Sequence, residues 1–412
     1  MLNLNSDVLE NRNAPARRRL FVVVSVLAGL VLGLIILEAA LRIVGYSSPE
    51  FYTADETLGY KLIAGMSGNY RKEGASFVTI NSDGFRDVEH AIEKPADTFR
   101  LAIIGDSYVE AFQVQREAAF SNFVRDRLGV CGIAGPRKIE VLTFGVSGYG
   151  TGQELLMLRD KVLKYSPDMV MLVMTTNNDV TDNSRALKRS PIPYFSINGD
   201  ELVEDKSFLE ETSFRARNSG ISRLGVTLKN HLRFVQAIGA ASTALKYKYR
   251  EMKRQPAQPQ QTADTSASAG DIGIDNEIYR EPQSADWQNA WQVTERLILT
   301  IKNEVERSGS RFVIVTASNG IQVLPDIEER RAYAARIGVA DLLYPDRRIA
   351  AFCSANSIPV ITLAPILGEI AAREKVFLHG FPGNMGYGHW NEGGHRAAGT
   401  AIGQTLCEMG VN

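Results

Sequence analysis

Hydrophobic residues are arranged in two ways along this chain. Residues 20–37 form one uncharged apolar run, and the other apolar residues fall into short blocks between polar segments. Five of these blocks are continuous, which predicts buried strands, because a strand covered on both faces shows no alternation of apolar and polar residues. The five blocks are FRLAIIGDS (99–107), KIEVLTFGV (138–146), DMVMLVMTT (168–176), RFVIVTAS (311–318) and SIPVITLAP (357–365).

Helical patterns separate the predicted strands. They cover residues 113–128, 153–165, about 286–308 and 394–409. Strands that alternate with helices indicate a parallel sheet with helices on both faces. The sequence therefore predicts an α/β fold with a doubly wound, five-stranded parallel sheet. Such a sheet binds its ligand at the carboxyl ends of its strands.

These patterns predict four parts, which are a tail (1–19), a hydrophobic helix (20–41), a polar and extended lead-in (47–100) and the α/β domain (101–412). An insertion at about 182–285 separates the third strand from the fourth. Its centre, 254–275, is rich in Gln, Ala, Ser, Thr and Pro, which predicts a flexible loop. Residues 231–254 predict a helix that caps the site.

The apolar run predicts a membrane anchor. Its 18 residues approach the length of about 20 that crosses the hydrocarbon core. Four arginines precede the run closely and only Arg42 follows it closely, so the positive-inside rule places residues 1–19 in the cytoplasm. The chain is then a single-pass protein of the cytoplasmic membrane, in contact with lipid through residues 20–41, with its bulk in the periplasm. A cleaved signal peptide is the alternative, although the long preceding segment argues against it.

Composition excludes several other classes of protein. Of the 412 residues, 44% are hydrophobic and 23% are charged, which is ordinary for a globular protein. Lys and Arg number 46 against 47 Asp and Glu, so no basic excess supports nucleic-acid binding. Cys131, Cys353 and Cys407 lie far apart and form no CxxC pair, which argues against a zinc or iron–sulfur site and leaves at most one disulfide.

Polar residues cluster at four places where the predicted strands end. The clusters are Gly105-Asp106-Ser107, residues 145–150 (GVSGYG), residues 175–179 (TTNND) and residues 389–395 (HWNEGGH). Each is ordinary by itself, because GDS can cap a helix and the other clusters can form turns or pack in the core. Together, in this order and at strand ends, they predict a site for acyl transfer.

The four clusters resemble the sequence blocks of the SGNH, or GDSL, hydrolase superfamily. The serine, glycine, asparagine and histidine of those blocks fall on Ser107, Gly148, Asn178 and His389. The resemblance covers about 99–180 and 311–409. The NSDGFRD stretch (81–87) and the apolar run also resemble membrane-anchored bacterial members of this superfamily.

The resemblance implies a flavodoxin-like, SGNH-type sheet and a Ser-His acyl-enzyme mechanism without cofactor or metal. A serine hydroxyl is a weak nucleophile, so His389 would take the proton of Ser107 and return it to the leaving alcohol. An oxyanion hole would be formed by the N–H groups of Ser107 and Gly148 and by the side-chain amide of Asn178. Supporting roles are expected for Asp106, Asp179 and Asn391.

Two positions depart from the family pattern. Asn177 stands where the family has a glycine before its Asn-Asp pair, which is expected to change the packing of that loop. Gly386 stands three residues before His389, where the family usually has an aspartate. Three explanations remain open: a Ser-His dyad supported by a backbone carbonyl, an inactive relative, or a carboxylate from elsewhere, such as Asp341, Asp346 or Glu392.

The sequence therefore predicts a membrane-anchored extracytoplasmic serine esterase that removes O-acyl groups, O-acetyl above all, from a carbohydrate. Location and family tendency are the grounds for that substrate. One alternative is an O-acetyltransferase acting on an envelope polysaccharide, which shares the acyl-enzyme but passes the acyl group to a sugar hydroxyl. The other is a non-catalytic glycan-binding or scaffold relative, which the missing aspartate favours.

Overall fold

A computed structural model describes residues 14–199, 201–253 and 275–410. Most of the predicted tail (1–13) and nearly all of the predicted flexible loop (254–274) lie outside the described residues, so both remain predictions. The chain divides into two compact units. One holds the described residues 14–50 and 224–253, and the other holds 51–223, apart from residue 200, and 275–410.

The elements follow in chain order. A long helix, α1 (Ala14–Ile43), precedes four short strands, β1 (Tyr52–Asp55), β2 (Gly59–Leu62), β3 (Ser67–Tyr70) and β4 (Ser76–Thr79). Next come β5 (Thr98–Gly105), α2 (Ser107–Glu110), α3 (Phe120–Cys131), β6 (Lys138–Gly145), α4 (Thr151–Asp160), β7 (Met169–Thr175), α5 (Thr176–Asp182) and α6 (Arg185–Lys188). The insertion contains β8 (Tyr194–Asn198), β9 (Glu201–Asp205), α7 (Thr212–Asn218), α8 (Gly220–His231) and α9 (Arg233–Lys253). The last part contains α10 (Ala285–Arg307), β10 (Arg311–Ala317), α11 (Ile327–Arg336), α12 (Tyr344–Ala355), β11 (Val360–Thr362), α13 (Leu363–Glu374) and α14 (Glu392–Glu408).

The central sheet has five parallel strands in the order β11-β10-β7-β5-β6. Counted along the chain this is the flavodoxin-like order 2-1-3-4-5. The predicted fold class is therefore confirmed. Every residue of β5 and β7 is buried, because these strands are central and helices cover both of their faces.

Successive residues of the central strands contribute to two different hydrophobic cores. Ala102 and Ile104 belong to one core, and Leu101 and Ile103 belong to the other. The first core also contains apolar residues of α4 and α10, and the second contains those of α3, α13 and α14. The alternation explains why the sequence of each strand is apolar throughout.

Several element boundaries differ from the sequence prediction, including those of the first predicted helix and of the fifth strand. The helix predicted over 113–128 begins only at Phe120. The fifth strand is limited to Val360–Thr362, because Leu363 already begins α13. Pro365 lies in the first turn of that helix, where a missing backbone N–H costs nothing. Sequence patterns also did not predict α11 and α12.

The segment before the central sheet is more structured than the expected extended lead-in. β1 pairs with β2 and β3 pairs with β4, so residues 52–79 form two antiparallel hairpins. Leu62, Val78 and Ile80 are buried in the same core as β5 and β7. These hairpins are therefore part of the α/β unit and contribute residues to its interior.

The smaller unit contains α1, the second half of α8, and α9. Residues 17–43 of α1 are long and apolar enough to cross a membrane, although a signal sequence would satisfy the same criteria. The helix predicted over 231–254 is present as α9, which begins at Arg233. Its expected role as a cap over the site remains a prediction.

A disulfide joins Cys131 at the end of α3 to Cys407 in α14, and Cys353 is a buried free thiol. The two helices pack closely, since a Cβ at Gly399 would lie 2.3 Å from the carbonyl oxygen of Phe120. The disulfide thus links α14 to α3, which lies between β5 and β6 in the chain.

We expect the double variant Cys131→Ser/Cys407→Ser to lower the free energy of unfolding by about 2–4 kcal/mol, because the bond restricts the unfolded chain. Denaturant unfolding of the full chain in detergent, followed by tryptophan fluorescence, measures this. Reductant should destabilise the wild type to the level of the variant and leave the variant unchanged. A wild type that does not respond to reductant would contradict the prediction.

Candidate active site

Ser107 lies where the central strand β5 ends. Asp106 is the N-cap of the one-turn helix α2, and its Oδ1 accepts the backbone N–H of Tyr108 at 3.0 Å. Ser107 is the first residue of that helix and is only 6% exposed. The strand-to-helix turn therefore presents the hydroxyl at the carboxyl edge of the sheet, where parallel α/β proteins bind their ligands.

His389 reaches Ser107 from the loop between α13 and α14. The distance from His389 Nε2 to Ser107 Oγ is 2.8 Å, although 282 positions separate the two residues in the chain. The loop is held by an isolated bridge between His379 and Trp390 and by the backbone bond from Gly380 N–H to His389 O. The two residues that the sequence predicts as nucleophile and base are thus in hydrogen-bond contact.

The second ring nitrogen of His389 contacts a carboxylate that the sequence analysis did not identify. His389 Nδ1 lies 2.5 Å from Glu73 Oε2, and the backbone N–H of His389 donates to Glu73 Oε1 at 2.8 Å. Glu73 stands in the turn between β3 and β4. One carboxylate therefore fixes both the ring and the backbone of His389.

Two glycines explain this arrangement. Gly388 has φ +78°, and a Cβ there would lie 2.2 Å from Glu73 Oε1, so only glycine lets the carboxylate approach. Gly386 has φ +90°, and a Cβ there would lie 2.6 Å from Leu324 Cδ2. A side chain at the position where the family usually has its aspartate would therefore require Leu324 to move and would adopt a left-handed backbone conformation that favours glycine.

Two of the three carboxylates that the sequence suggested as the third residue have other partners. Asp341 accepts the N–H of Leu343 and pairs with Arg347, while Asp346 bonds to Thr316 and Gln322. Glu392 lies in the first turn of α14. The only sequence signal for Glu73 is its place shortly before the NSDGFRD stretch, and no spacing relates it to His389.

The charges of Glu73 and His389 stabilise each other. Burial alone would raise the pKa of Glu73, but the hydrogen bonds and positive charge of His389 lower it below the usual value. Burial alone would lower the pKa of His389, but the contact with Glu73 and the negative charge of Asp106 raise it above 6.5. The contact therefore offsets the cost that burial imposes on the charged form of each group.

Asn178 and Asp179 follow the end of β7 in α5. Asn178 Nδ2 donates to Asp106 Oδ2 at 3.3 Å, so its amide lies beside the residue that precedes Ser107. Asp179 Oδ2 accepts the backbone N–H of Thr175 at 2.9 Å and holds the junction of strand and helix. Asn177 Oδ1 accepts the N–H of Asp275 at 3.3 Å and holds the last part of the insertion.

The loop that contains Gly148 is held by a buried carboxylate and two tyrosines. Glu110 accepts the backbone N–H of Ser147 at 3.2 Å, the hydroxyl of Ser147, and the hydroxyl of Tyr52 at 2.8 Å. Tyr60 donates its hydroxyl to Ser147 O at 2.8 Å. Gly148 has φ +79°, and a Cβ there would lie 2.7 Å from the Tyr60 hydroxyl. Burial raises the pKa of Glu110 to about 7.

His379 positions the backbone beside His389. Its Nδ1 lies 2.6 Å from Gly388 O, which can only accept, so Nδ1 carries the proton. Burial lowers the pKa of His379 to about 4, so the ring is neutral and its Nε2 accepts from Ser318 Oγ at 2.9 Å. Trp390 Nε1 donates to the same hydroxyl at 3.0 Å. Trp390, Ser318 and His379 thus form a chain in which each group donates a hydrogen bond to the next, and the chain ends at the carbonyl oxygen of Gly388.

Asn391 and His395 have structural contacts at the start of α14. Asn391 is the N-cap, and its Oδ1 accepts the N–H of Gly394 at 3.0 Å. His395 is buried, which lowers its pKa to about 3, and its Nδ1 accepts the N–H of Phe120 at 3.3 Å. Across residues 14–199, 201–253 and 275–410, no group of three or more His, Cys, Asp or Glu side chains could hold a metal ion.

No family model matches the chain, and no curated protein matches it. Solved structures do match, and the chain is similar to GDSL-type acylhydrolases and acetyl xylan esterases. An acetyl xylan esterase matches over 75% of this chain and 100% of its own length, with 11% identity and a TM-score of 0.36. A GDSL-like lipase from Bacteroides thetaiotaomicron VPI-5482 matches over 78% of this chain and 92% of its own, with 14% identity and a TM-score of 0.31.

A catalytic mutant of an acetylxylan esterase from Geobacillus stearothermophilus matches over 75% of this chain and 94% of its own, with 11% identity and a TM-score of 0.36. These identities and TM-scores are low. The conclusions on function below therefore rest on the contacts of Ser107, His389 and Glu73.

The contact with Glu73 makes a prediction about the titration of His389. We expect the pKa of His389 to lie above 6.5 in the wild type and to fall below its wild-type value in Glu73→Gln, because burial then acts without the compensating charge. NMR of the full chain labelled at its five histidines measures both values. Asp341→Asn, which removes a carboxylate paired with Arg347, should leave the titration unchanged. An unchanged pKa of His389 in Glu73→Gln would contradict the assignment.

Proposed function

We propose that this chain is a serine esterase of the SGNH/GDSL type, with Ser107 as nucleophile, His389 as general base and Glu73 as the carboxylate that orients His389. One observation carries the proposal. Ser107 Oγ, His389 Nε2, His389 Nδ1 and Glu73 Oε2 form a continuous chain of hydrogen bonds of 2.8 and 2.5 Å. This is the connectivity of nucleophile, base and acid in a hydrolytic triad.

Each step of the proposed reaction follows from these contacts. Ser107 Oγ attacks the ester carbonyl while its proton moves to His389 Nε2. The tetrahedral intermediate collapses, the bond to the alcohol breaks, and His389 returns the proton to the leaving oxygen. Water then attacks the acyl-serine with His389 again as base, which releases the carboxylic acid and restores the serine hydroxyl.

Glu73 would supply what the aspartate at the position of Gly386 supplies in the family. By accepting Nδ1–H it leaves the lone pair of Nε2 directed at Ser107, and by its charge it stabilises the imidazolium that forms during attack. The non-catalytic alternative depended on the missing aspartate. Since a carboxylate contacts His389 Nδ1 at 2.5 Å, we do not propose that alternative.

The proposed oxyanion donors are the N–H groups of Ser107 and Gly148 and the side-chain amide of Asn178. An asparagine amide has two N–H groups, and one of those of Asn178 is directed to Asp106 at 3.3 Å. The other would be available to the oxyanion. The hydrogen bonds that Glu110 and Tyr60 make to Ser147 would hold the neighbouring Gly148 N–H in position, and such preorganised donors stabilise the charge that develops on the carbonyl oxygen.

We propose that the α/β unit lies on the extracytoplasmic side of the cytoplasmic membrane, in the periplasm, with α1 as an uncleaved anchor. The length and composition of α1 and the arginines before its apolar run support this. The disulfide between Cys131 and Cys407 supports it independently, because structural disulfides persist in oxidising compartments.

The substrate that we propose is an O-acyl ester, O-acetyl above all, on an envelope or exported carbohydrate. Its grounds are the family resemblance and the proposed location. Transfer of the acyl group to a sugar hydroxyl would use the same acyl-enzyme, and adding an acceptor saccharide to the assay distinguishes transfer from hydrolysis by its product.

Ser107 should react covalently with a fluorophosphonate, because the probe requires an activated serine. We expect the full chain in detergent to be labelled and to hydrolyse p-nitrophenyl acetate, and we expect Ser107→Ala to abolish both. Intact-mass spectrometry and absorbance measure the two effects. Ser354→Ala changes an exposed serine of α12 and should behave as the wild type. Labelling of Ser107→Ala at the wild-type rate would reject the nucleophile.

Glu73→Gln should lower kcat by about 10⁴-fold with the fold intact, the loss typical of replacing a triad acid by its amide. Steady-state kinetics with p-nitrophenyl acetate and circular dichroism measure the two properties. Glu392→Gln changes a carboxylate near His389 in sequence and should keep kcat within a few-fold of the wild type. If Glu73→Gln lowers kcat only a few-fold, the proposed role of Glu73 is rejected and the mechanism would be that of a Ser107–His389 dyad.

A further inference from the structure

Apolar side chains are exposed along α8 and α9. Leu224 and Leu228 of α8 are 58% and 45% exposed, and Ile238 and Leu245 of α9 are 61% and 72% exposed. Residues four or seven positions apart lie on one face of a helix, so each helix presents one apolar face. We call these four residues the apolar stripe. Large apolar side chains exposed together mark a surface that another phase or molecule covers.

The segment that carries the apolar stripe is strongly basic. Between residues 224 and 253 the only acidic residue is Glu251, and the basic residues are Lys229, Arg233, Lys246, Lys248, Arg250 and Lys253. The whole chain has a net charge of -1, so this positive charge is local. A helix with an apolar face and many Lys and Arg residues is typical of segments that lie in the interface of an anionic membrane.

The turn between α8 and α9 is attached to the end of α1. Glu38 Oε2 accepts the N–H of Phe234 at 3.0 Å, and Arg42 Nη2 donates to His231 O at 2.8 Å. Glu38 is the first charged residue after the apolar run. If α1 spans the bilayer, Glu38 and Arg42 stand at the level of the headgroups, and the start of α9 stands there with them.

We infer that α9 and the second half of α8 lie on the lipid surface, with the apolar stripe between the headgroups and the positive charge of the segment balanced by anionic lipid. The inference rests on the anchor of the proposed function. Two observations favour lipid as the occupant: the positive charge complements anionic headgroups, and the segment continues directly from the membrane-spanning helix. The chain would then contact the bilayer in two ways, through α1, which crosses it, and through α9 and the second half of α8, which lie on its outer surface.

The test uses the full chain reconstituted into vesicles that contain phosphatidylethanolamine and phosphatidylglycerol in a 3:1 molar ratio. An environment-sensitive dye is attached to a cysteine introduced in the apolar stripe (Leu245→Cys), on the opposite side of α9 (Ala240→Cys) or in the anchor (Leu30→Cys). Ala240 is exposed and lies two residues from Ile238, which places it about 200° around the helix. Cys353 is buried, and the unmodified chain measures its background labelling.

We expect nitroxide-bearing lipids to quench the dye at position 245, and aqueous iodide to quench the dye at position 240. A dye at position 245 that iodide quenches as strongly as at position 240, while position 30 is shielded, would overturn the inference and leave the anchor intact. Accessibility of position 30 to iodide would overturn the anchor and the inference together. If the dye at position 245 is shielded from iodide in native membranes, which contain other proteins, but not in lipid vesicles, the stripe is covered by a protein. That result would also overturn the inference.

The contribution of positive charge to lipid binding is tested with the double variant Lys246→Glu/Lys248→Glu. In this experiment the dye is attached to a cysteine introduced by Ile238→Cys. We expect the double variant to reduce lipid quenching several-fold in vesicles with phosphatidylglycerol and to have little effect in vesicles of phosphatidylcholine alone. Equal quenching of the two chains in both vesicles would overturn the electrostatic contribution. Hydrolysis of p-nitrophenyl acetate should stay at the wild-type level in each variant, because none of the changed residues lies in the active site.

Discussion

The contact between Glu73 and His389 is the interaction on which the site depends. A partly buried carboxylate is unfavourable unless it is paired and hydrogen-bonded, and Glu73 is paired with both the ring and the backbone of His389. The same contact selects the ring tautomer that leaves Nε2 free to accept from Ser107. It requires a glycine at position 388, where any Cβ would collide with the carboxylate. Residues far apart in the chain therefore depend on one another for their protonation states and for their backbone conformation.

The hairpins before the sheet explain why this acid can come from the N-terminal part of the unit. β3 and β4 bring Glu73 to the carboxyl edge of the sheet, and Tyr52 and Tyr60 of the first hairpin hold Glu110 and Ser147. The hairpins are fixed in turn by burial of their apolar residues in the core of the sheet. They therefore act as a structural part of the site.

The NSDGFRD stretch has a physical explanation in the same region. Asn81 Oδ1 accepts the N–H of Phe85 at 2.9 Å and closes the turn. The guanidinium of Arg86 donates to the carbonyl oxygens of Ala111 and Val114, just after the helix that carries Ser107. Asp87 Oδ2 accepts the N–H of Thr143 in β6 at 2.7 Å. The motif thus ties the chain after Ser107 to the neighbouring strand of the sheet.

The sequence by itself predicted the sheet, and it predicted Ser107 and His389 as partners, which the structure brings into hydrogen-bond contact. Continuous apolar runs identify strands such as 138–146, because burial on both faces leaves a local pattern. The resemblance to family sequence blocks singled out Ser107 and His389, of which Ser107 follows a strand end and His389 lies in the loop before the last described helix. Only the tertiary structure decided that Glu73 contacts His389 and that Cys131 pairs with Cys407. Both are contacts between distant parts of the chain, and they depend on how the hairpins and the last helix pack. Such packing is set by the whole core, so neither contact leaves a periodicity or a spacing that could be read from the residues alone.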